Sequence, residues 1–133
     1  MTPPLAARVL ARPATWAAQL YLRWRMNHAR REAGLNPLWT SSELMTVAER
    51  RSRELVKDNS HHGAGVGIPD LFWGEIIGWV DAVGPAAADN VVDRWLQSPE
   101  HRPILLGRWT YIGAGVTVVH GRSYFVGLFG HRW

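Results

Sequence analysis

The sequence predicts an α+β domain in which helices pack over an antiparallel sheet. Two observations carry this prediction: apolar residues recur at helical spacing in segments before residue 98, and two segments after residue 110 have the composition of strands. The 133 residues, 47% of them hydrophobic and 20% charged, suffice for one core and are too apolar for a disordered chain. We predict a single domain at 16–133, preceded by an N-terminal extension at 1–15.

The first helix is predicted to follow Pro13. Apolar residues recur every four positions at Trp16, Leu20 and Trp24, a spacing that places them on one apolar face of a helix. Gly34 is a natural C-terminal cap, because glycine adopts the left-handed conformation at low cost. The helix should therefore end near this residue.

The second helix is predicted to begin at Thr40. The sequence T-S-S-E over 40–43 has the spacing of a capping box. This helix cannot run far past Asn59, because the glycine-rich segment that follows is typical of a loop. A third helix should begin at Pro85, where proline loses no helical hydrogen bond, and bury Trp95 on its apolar face.

Three strands follow from short apolar segments. The segment GEIIGWV at 74–80 predicts a buried strand, which places Trp79 in the core. The segments at 111–121 and 122–131 predict a hairpin, and Gly121 suits its tight turn.

The segment QSPEHRPILL at 97–106 combines a helix end with a helix start. Ser98 is predicted to cap a short helix whose first residue is Pro99, and Glu100 complements the dipole of its first turn. His101 has no such structural reason. Because a first turn disfavours a protonated imidazole, a neutral ring with a lone pair for a metal or a proton is expected there.

Other candidate ligands lie in or near the glycine-rich loop. His61 and His62 are in it, and Glu75 opens an apolar strand, where a carboxylate must be paired or coordinated unless the strand end is exposed. The chain has no cysteine, so a metal site would need His, Asp or Glu. Two histidines and a glutamate would suit zinc with open positions, although no pair has the HxxxH or HExxH spacing.

The charge pattern does not favour nucleic acid as a partner. The formal net charge is only +4, and Arg50, Arg51 and Arg53 alternate with Glu49 and Glu54. Such a helix face is more typical of a solvated surface than of a row that binds phosphates. The apolar stretch near the N-terminus is shorter than the core of a signal peptide. No apolar segment approaches the length of a membrane span, which is about 20 residues.

Short motifs succeed one another along most of the chain. They are N-x-x-R-x-x-x-G-L-x-P-L from Asn27, S-H at 60–61, G-E at 74–75, V-V-x-x-W at 91–95, S-P-x-H-R at 98–102, I-L at 104–105 and I-G-x-G-V at 112–116. Each motif is degenerate alone. Their order and separation resemble the CAP superfamily of cysteine-rich secretory proteins, antigen 5 and pathogenesis-related proteins, in particular its cysteine-poor bacterial branch.

This resemblance implies a three-layer α-β-α sandwich with a large cleft. In the family, a tetrad of two histidines and two acidic residues lines the cleft and in several members binds a divalent cation such as zinc. Matched by motif, the histidines are His61, with His62 as the register alternative, and His101, and one acidic residue is Glu75. The fourth, usually acidic, position is Ser98 here.

The resemblance also implies an extracellular or cell-surface protein whose cleft binds a small hydrophobic ligand, a peptide or a cell-wall glycan. One alternative is a metal-dependent hydrolase, in which zinc lowers the pKa of a bound water and Glu75 or Glu100 accepts its proton. A second alternative is a structural module of a larger assembly. Binding is preferred, because no residue is an obvious nucleophile and the family has no settled catalytic mechanism.

Overall fold

The computed structural model describes residues 5–58, 67, 68 and 70–132, with side chains from residue 15 onward. Its elements, in chain order, are α1 (Leu5–Glu32), β1 (Trp39–Thr40), α2 (Ser42–Lys57), β2 (Leu71–Val80), α3 (Pro85–Gln97), α4 (Arg102–Leu105), β3 (Tyr111–Val119) and β4 (Arg122–Arg132). No helix in this part of the chain is long and apolar enough to cross a membrane.

The four strands form one sheet in the order β1-β3-β4-β2. The three long strands are antiparallel, as predicted. β1 adds a parallel pairing in which Trp39 lies opposite Tyr111 and Thr40 opposite Ile112, so the complete sheet is mixed. A strand of two residues is too short to show the alternation by which sequence reveals strands.

Helices cover both faces of the sheet, which confirms the α+β class and the three-layer arrangement. Ile76 of β2 packs in a core formed with α1, α3 and α4. Its neighbour Ile77 points the other way, into a second core formed with α2. This alternation follows from the period of two along a strand.

The apolar face predicted for α1 is not the side of the helix that packs on the sheet. Trp16 and Trp24 are 52% and 48% exposed, whereas Leu22, Met26 and Ala29 are buried. These three residues form a second helical stripe at spacings of four and three. The helix also begins earlier than predicted, at Leu5, with Pro13 inside it.

The end of α1 is fixed by the residues of the N-x-x-R-x-x-x-G motif. Gly34 has φ of 81°, and its N–H donates to the carbonyl of Arg31 at 2.9 Å, which confirms the predicted cap. Asn27 donates to the carbonyl of Leu38 and accepts from its N–H. The motif therefore holds the chain that leaves the helix.

Arg30 joins α1 to the segment after α4. Its side chain is buried and donates to three backbone carbonyls, those of Asn36 (3.1 Å), Leu105 (3.0 Å) and Gly107 (2.7 Å). Desolvation lowers the pKa of Arg30, but a guanidinium stays charged at any ordinary pH. One side chain therefore holds both the segment that follows α1 and the end of α4 in place.

We expect Arg30→Met to destabilise the domain by about 3 kcal/mol, because buried carbonyls lose charged donors without replacement. Arg30→Lys should retain part of this stability, because lysine keeps the positive charge. It should not retain all of it, because an ammonium group cannot reproduce the planar arrangement of guanidinium donors. The neighbouring exposed residue supplies a matched control, Arg31→Met, which should change stability by less than about 0.5 kcal/mol. Urea unfolding measures all three, and equal losses in the two methionine variants would contradict the role of Arg30.

α2 begins one residue later than the predicted cap. Ser41 is the N-cap, and its Oγ accepts from the N–H of Leu44 at 3.1 Å, whereas Thr40 belongs to β1. The helix lies directly on β3, where a Cβ on Gly115 would meet the carbonyl oxygen of Ala48 at 2.0 Å. Glycine is required at this close approach.

The prediction for Trp79 is wrong and that for Trp95 is confirmed. Trp79 is 41% exposed near the end of β2, where the guanidinium of Arg122 lies 4.0 Å from its ring centroid. Trp95 is 2% exposed and donates from Nε1 to the carbonyl of Ile77. An aromatic residue in an apolar segment can thus be covered by a cation rather than by a helix.

The hairpin of β3 and β4 confirms the predicted turn. His120 and Gly121 both have positive φ, 49° and 76°, and Val119 pairs with Arg122 across them. This is the conformation of a two-residue type I′ turn.

Candidate functional site

Glu75 lies on β2 with its carboxylate directed towards α2. The side chain is only 7% exposed, and both of its oxygens accept hydrogen bonds from Arg51. Nε of Arg51 lies 2.8 Å from Oε2, and Nη2 lies 3.1 Å from Oε1. The two side chains thus form a bidentate ion pair, the strongest arrangement for these groups.

Arg51 is as buried as its partner, with 6% of its side chain exposed. Its Nη1 also donates to Oε2 of Glu54 at 2.7 Å. The hydrogen bond to Glu75 is the main cause that raises the pKa of Arg51 above its ordinary value. The prediction that Arg51 lies on a solvated helix face is therefore wrong, although Arg50 and Arg53 are exposed and pair with Glu54 and Glu49.

The second predicted site residue, His101, lies between α3 and α4. Its Nδ1 is 2.7 Å from Oγ of Ser98, the residue that ends α3. The short helix begins at Arg102, with His101 as its N-cap, so the prediction that it begins at Pro99 is wrong. Residues 99–101 form a turn instead, and Glu100 is exposed in it. The hydroxyl of Ser98 thus orients the imidazole.

Glu75 and His101 belong to different layers of the sandwich. Ile104 and Leu105 of α4 pack in the core that contains Ile76, on the face opposite to that of Glu75. The loop residues His61 and His62 lie outside the described residues. Within the described ranges, no group of three His, Asp or Glu side chains is placed to hold a metal ion.

Glu75 does not fit the role of a metal ligand in this arrangement. Both of its oxygens already face the guanidinium of Arg51, which carries a permanent positive charge. A divalent cation bound there would be repelled by that charge in a poorly solvated environment. A zinc site that uses His61 and His101 without Glu75 stays a prediction.

An apolar cavity of about 240 Å³ lies between α1 and α3, above the β3–β4 hairpin. Its lining residues are Ala17, Ala18, Tyr21, Gly84, Pro85, Ala88, Val116, Val118, Ser123 and Phe125. The sequence does not reveal it, because the alanines that leave the space lie on helices far apart in the chain. The signal would have been small residues on the facing sides of α1 and α3.

A second cavity, of about 280 Å³, lies at the start of α2 and has a more polar lining. Thr40, Ser41, Glu43 and Arg132 contribute to it. Its charges are paired with each other, since Nη2 of Arg132 lies 3.4 Å from Oε1 of Glu43. Neither of these two cavities is lined by Glu75 or His101.

The fold is similar to those of three solved bacterial proteins. An outer surface protein from Borrelia burgdorferi has a TM-score of 0.71 and 23% identity, and the match covers 84% of this chain and 90% of that protein. An extracellular SCP-domain protein from Bacillus anthracis has a TM-score of 0.64 and 21% identity. A cysteine-rich secretory protein from Staphylococcus aureus has a TM-score of 0.67 and 19% identity. These two matches cover 85% and 89% of this chain but only 40% of each of those proteins.

Sequence comparison identifies the family. No curated protein matches the chain. The sequence profile of the cysteine-rich secretory protein family, CAP, matches residues 25–129, which include Asn27, Glu75 and His101. Because this match spans most of the chain and the structural likeness agrees with it, the protein belongs to the CAP family.

Proposed function

We propose that this CAP domain is a binding module, rather than an enzyme, that takes up the apolar chain of a lipid between α1 and α3. The observation that supports this most directly is the apolar cavity in the described part of the molecule. Pockets that are mostly apolar, with few polar groups, are the usual sites for small ligands. Hydrolysis is less well supported, because Glu75 would have to leave Arg51 before it could accept a proton.

The lining of the cavity favours an alkyl chain over a polar ligand. Among its described lining residues, only Tyr21 and Ser123 bring side-chain hydroxyls to it, and both donate elsewhere: to Asp89 at 2.7 Å and to the carbonyl of Ala82 at 2.6 Å. The hydrogen bond to Asp89 also raises the pKa of Tyr21, so its phenol stays neutral. Each methylene group buried against residues such as Ala88 and Phe125 would contribute about 0.8 kcal/mol to the free energy of binding.

The volume of the cavity favours a narrow ligand. About 240 Å³ is below the range of about 300–1,000 Å³ that is typical of pockets for drug-sized molecules. A single acyl chain is therefore a better fit than a fused ring system. The polar end of such a ligand would remain at the rim, where Val118 is half exposed.

Decanoic acid is a suitable probe, and isothermal titration measures its binding. We expect the unmodified chain to bind it, and Ala88→Leu, which fills the cavity, to weaken binding by at least about tenfold. Ala86→Leu is the matched control, because Ala86 lies on the same helix, is exposed and does not line the cavity. Absence of binding by the unmodified chain, or equal weakening by both variants, would contradict the proposal.

We also propose that the domain works outside the cell or on its surface. The support comes from the resembling proteins, which include an outer surface protein and an extracellular protein. Protease added to intact producing cells should then degrade the chain. Protection that ends only when the cells are lysed would contradict this location.

A further inference from the structure

We propose that Arg51 takes the place of a divalent cation beside Glu75, so that Glu75 joins α2 to β2 and binds no metal in this protein. The inference is independent of the apolar cavity. It rests on the geometry of the ion pair and on its burial, which together leave the carboxylate neither free nor solvated.

The first step is that the carboxylate charge of Glu75 is already neutralised. Two hydrogen bonds, of 2.8 and 3.1 Å, bring a full positive charge against both oxygens. A guanidinium does not lose its proton in a protein, so no change of pH within the ordinary range vacates the position. A metal ion could reach these oxygens only if Arg51 moved away.

The second step is that Arg51 cannot move away cheaply. Its side chain is 6% exposed, and its remaining donor Nη1 holds Glu54 at 2.7 Å. Displacement would break three charge-assisted hydrogen bonds and leave a buried cation without its partners, which is strongly unfavourable. Leu55 follows Arg51 by one helical turn, and Ile77 lies on the same face of β2 as Glu75; both are buried hydrophobic residues of the α2 core. Neither could supply a displaced guanidinium with a hydrogen-bond acceptor from its side chain.

The third step comes from Ser98. At the position where the resembling family usually has its second carboxylate, this chain has a hydroxyl, which lies 2.7 Å from Nδ1 of His101. A hydroxyl supplies no negative charge. Because α4 packs on the face opposite to that of Glu75, neither Glu75 nor His101 gains a second carboxylate from the Ser98 position with which to attract a dication.

The test compares zinc binding by the intact chain and three variants, measured by titration with ZnCl₂. Glu75→Gln should change the zinc affinity by less than about twofold, as should the matched control Glu54→Gln, which also contacts Arg51. His101→Ala reports whether any zinc that binds uses the histidine. No zinc binding by the intact chain, or binding that is indifferent to Glu75→Gln, supports the proposal.

The proposal is overturned if Glu75→Gln weakens zinc binding by about tenfold or more, while Glu54→Gln does not and both retain the circular dichroism of the parent. If Glu75→Gln does not fold, NMR of the unmodified chain decides. The Nε–H resonance of Arg51 should keep its position when ZnCl₂ is added. Its displacement or loss would show that the metal reaches the carboxylate.

Discussion

Gly115→Ala is expected to destabilise the domain by about 3 kcal/mol or more, because a new Cβ would enter backbone atoms of α2. That Cβ would lie 2.0 Å from the carbonyl oxygen of Ala48 and 2.7 Å from the N–H nitrogen of Glu49. Backbone atoms of a helix cannot turn aside as a side chain can. Relief would require the whole of α2 to lift from β3, which would open the core around Leu44 and Val126.

Gly127→Ala is the matched comparison, since it adds the same methyl group to the neighbouring strand. There the new Cβ would meet only side-chain atoms, Sδ of Met26 at 2.8 Å and Cγ1 of Ile76 at 3.0 Å. Methionine adapts readily to altered space, so the loss should be smaller, about 1 kcal/mol. Urea unfolding measures both variants. Equal losses would show that α2 does not lie as close to β3 as the structure indicates.

The sequence predicts best the features whose signal is local. The cap at Gly34, the start of α3 at Pro85 and the turn at His120 and Gly121 depend on backbone preferences of a few adjacent residues. The errors at Thr40 and Pro99 are shifts of one to three residues at helix starts, where several residues could serve as the cap.

Burial was harder to predict, because amphipathic patterns on α1 are ambiguous. Two apolar stripes are present, and the one with the larger residues, Trp16 and Trp24, faces outward. The stripe of Leu22 and Met26 faces the sheet, where Gly127 allows close approach. Which stripe is buried depends on the shape of the opposite surface, and that surface is formed by β3 and β4, near the other end of the sequence.

Prediction of the site is likewise limited, because contacts between residues far apart in the sequence decide which side chains are buried together. The sequence indicates that Glu75 needs a partner, but it contains no sign that this partner is Arg51, which lies 24 residues earlier. Arg51 occurs among alternating arginines and glutamates, a pattern that normally belongs to an exposed helix face. Only the packing of α2 on the sheet distinguishes it from Arg50 and Arg53.

Arg51→Met should destabilise the domain by about 3–5 kcal/mol, because it leaves the carboxylate of Glu75 buried without a counter-charge. Arg53→Met is the matched control on the same helix. Arg53 is exposed, and its pair with Glu49, at 3.1 Å, should contribute less than about 1 kcal/mol. Thermal or urea unfolding distinguishes the two, and a loss of less than about 1 kcal/mol for Arg51→Met would mean that the pair is open in solution.

A double-mutant cycle then separates the pair from its desolvation cost. Arg51→Met combined with Glu75→Leu removes both charges and supplies apolar groups to a core that already contains Leu55 and Ile77. A buried ion pair is often no more stable than apolar residues of similar volume, so the double variant should recover most of the stability lost by Arg51→Met. Recovery would show that the ion pair adds no net stability and that its role is to fix the position of α2 relative to β2. A double variant as unstable as Arg51→Met would show instead that the hydrogen bonds to Arg51 are themselves needed to hold α2 on β2.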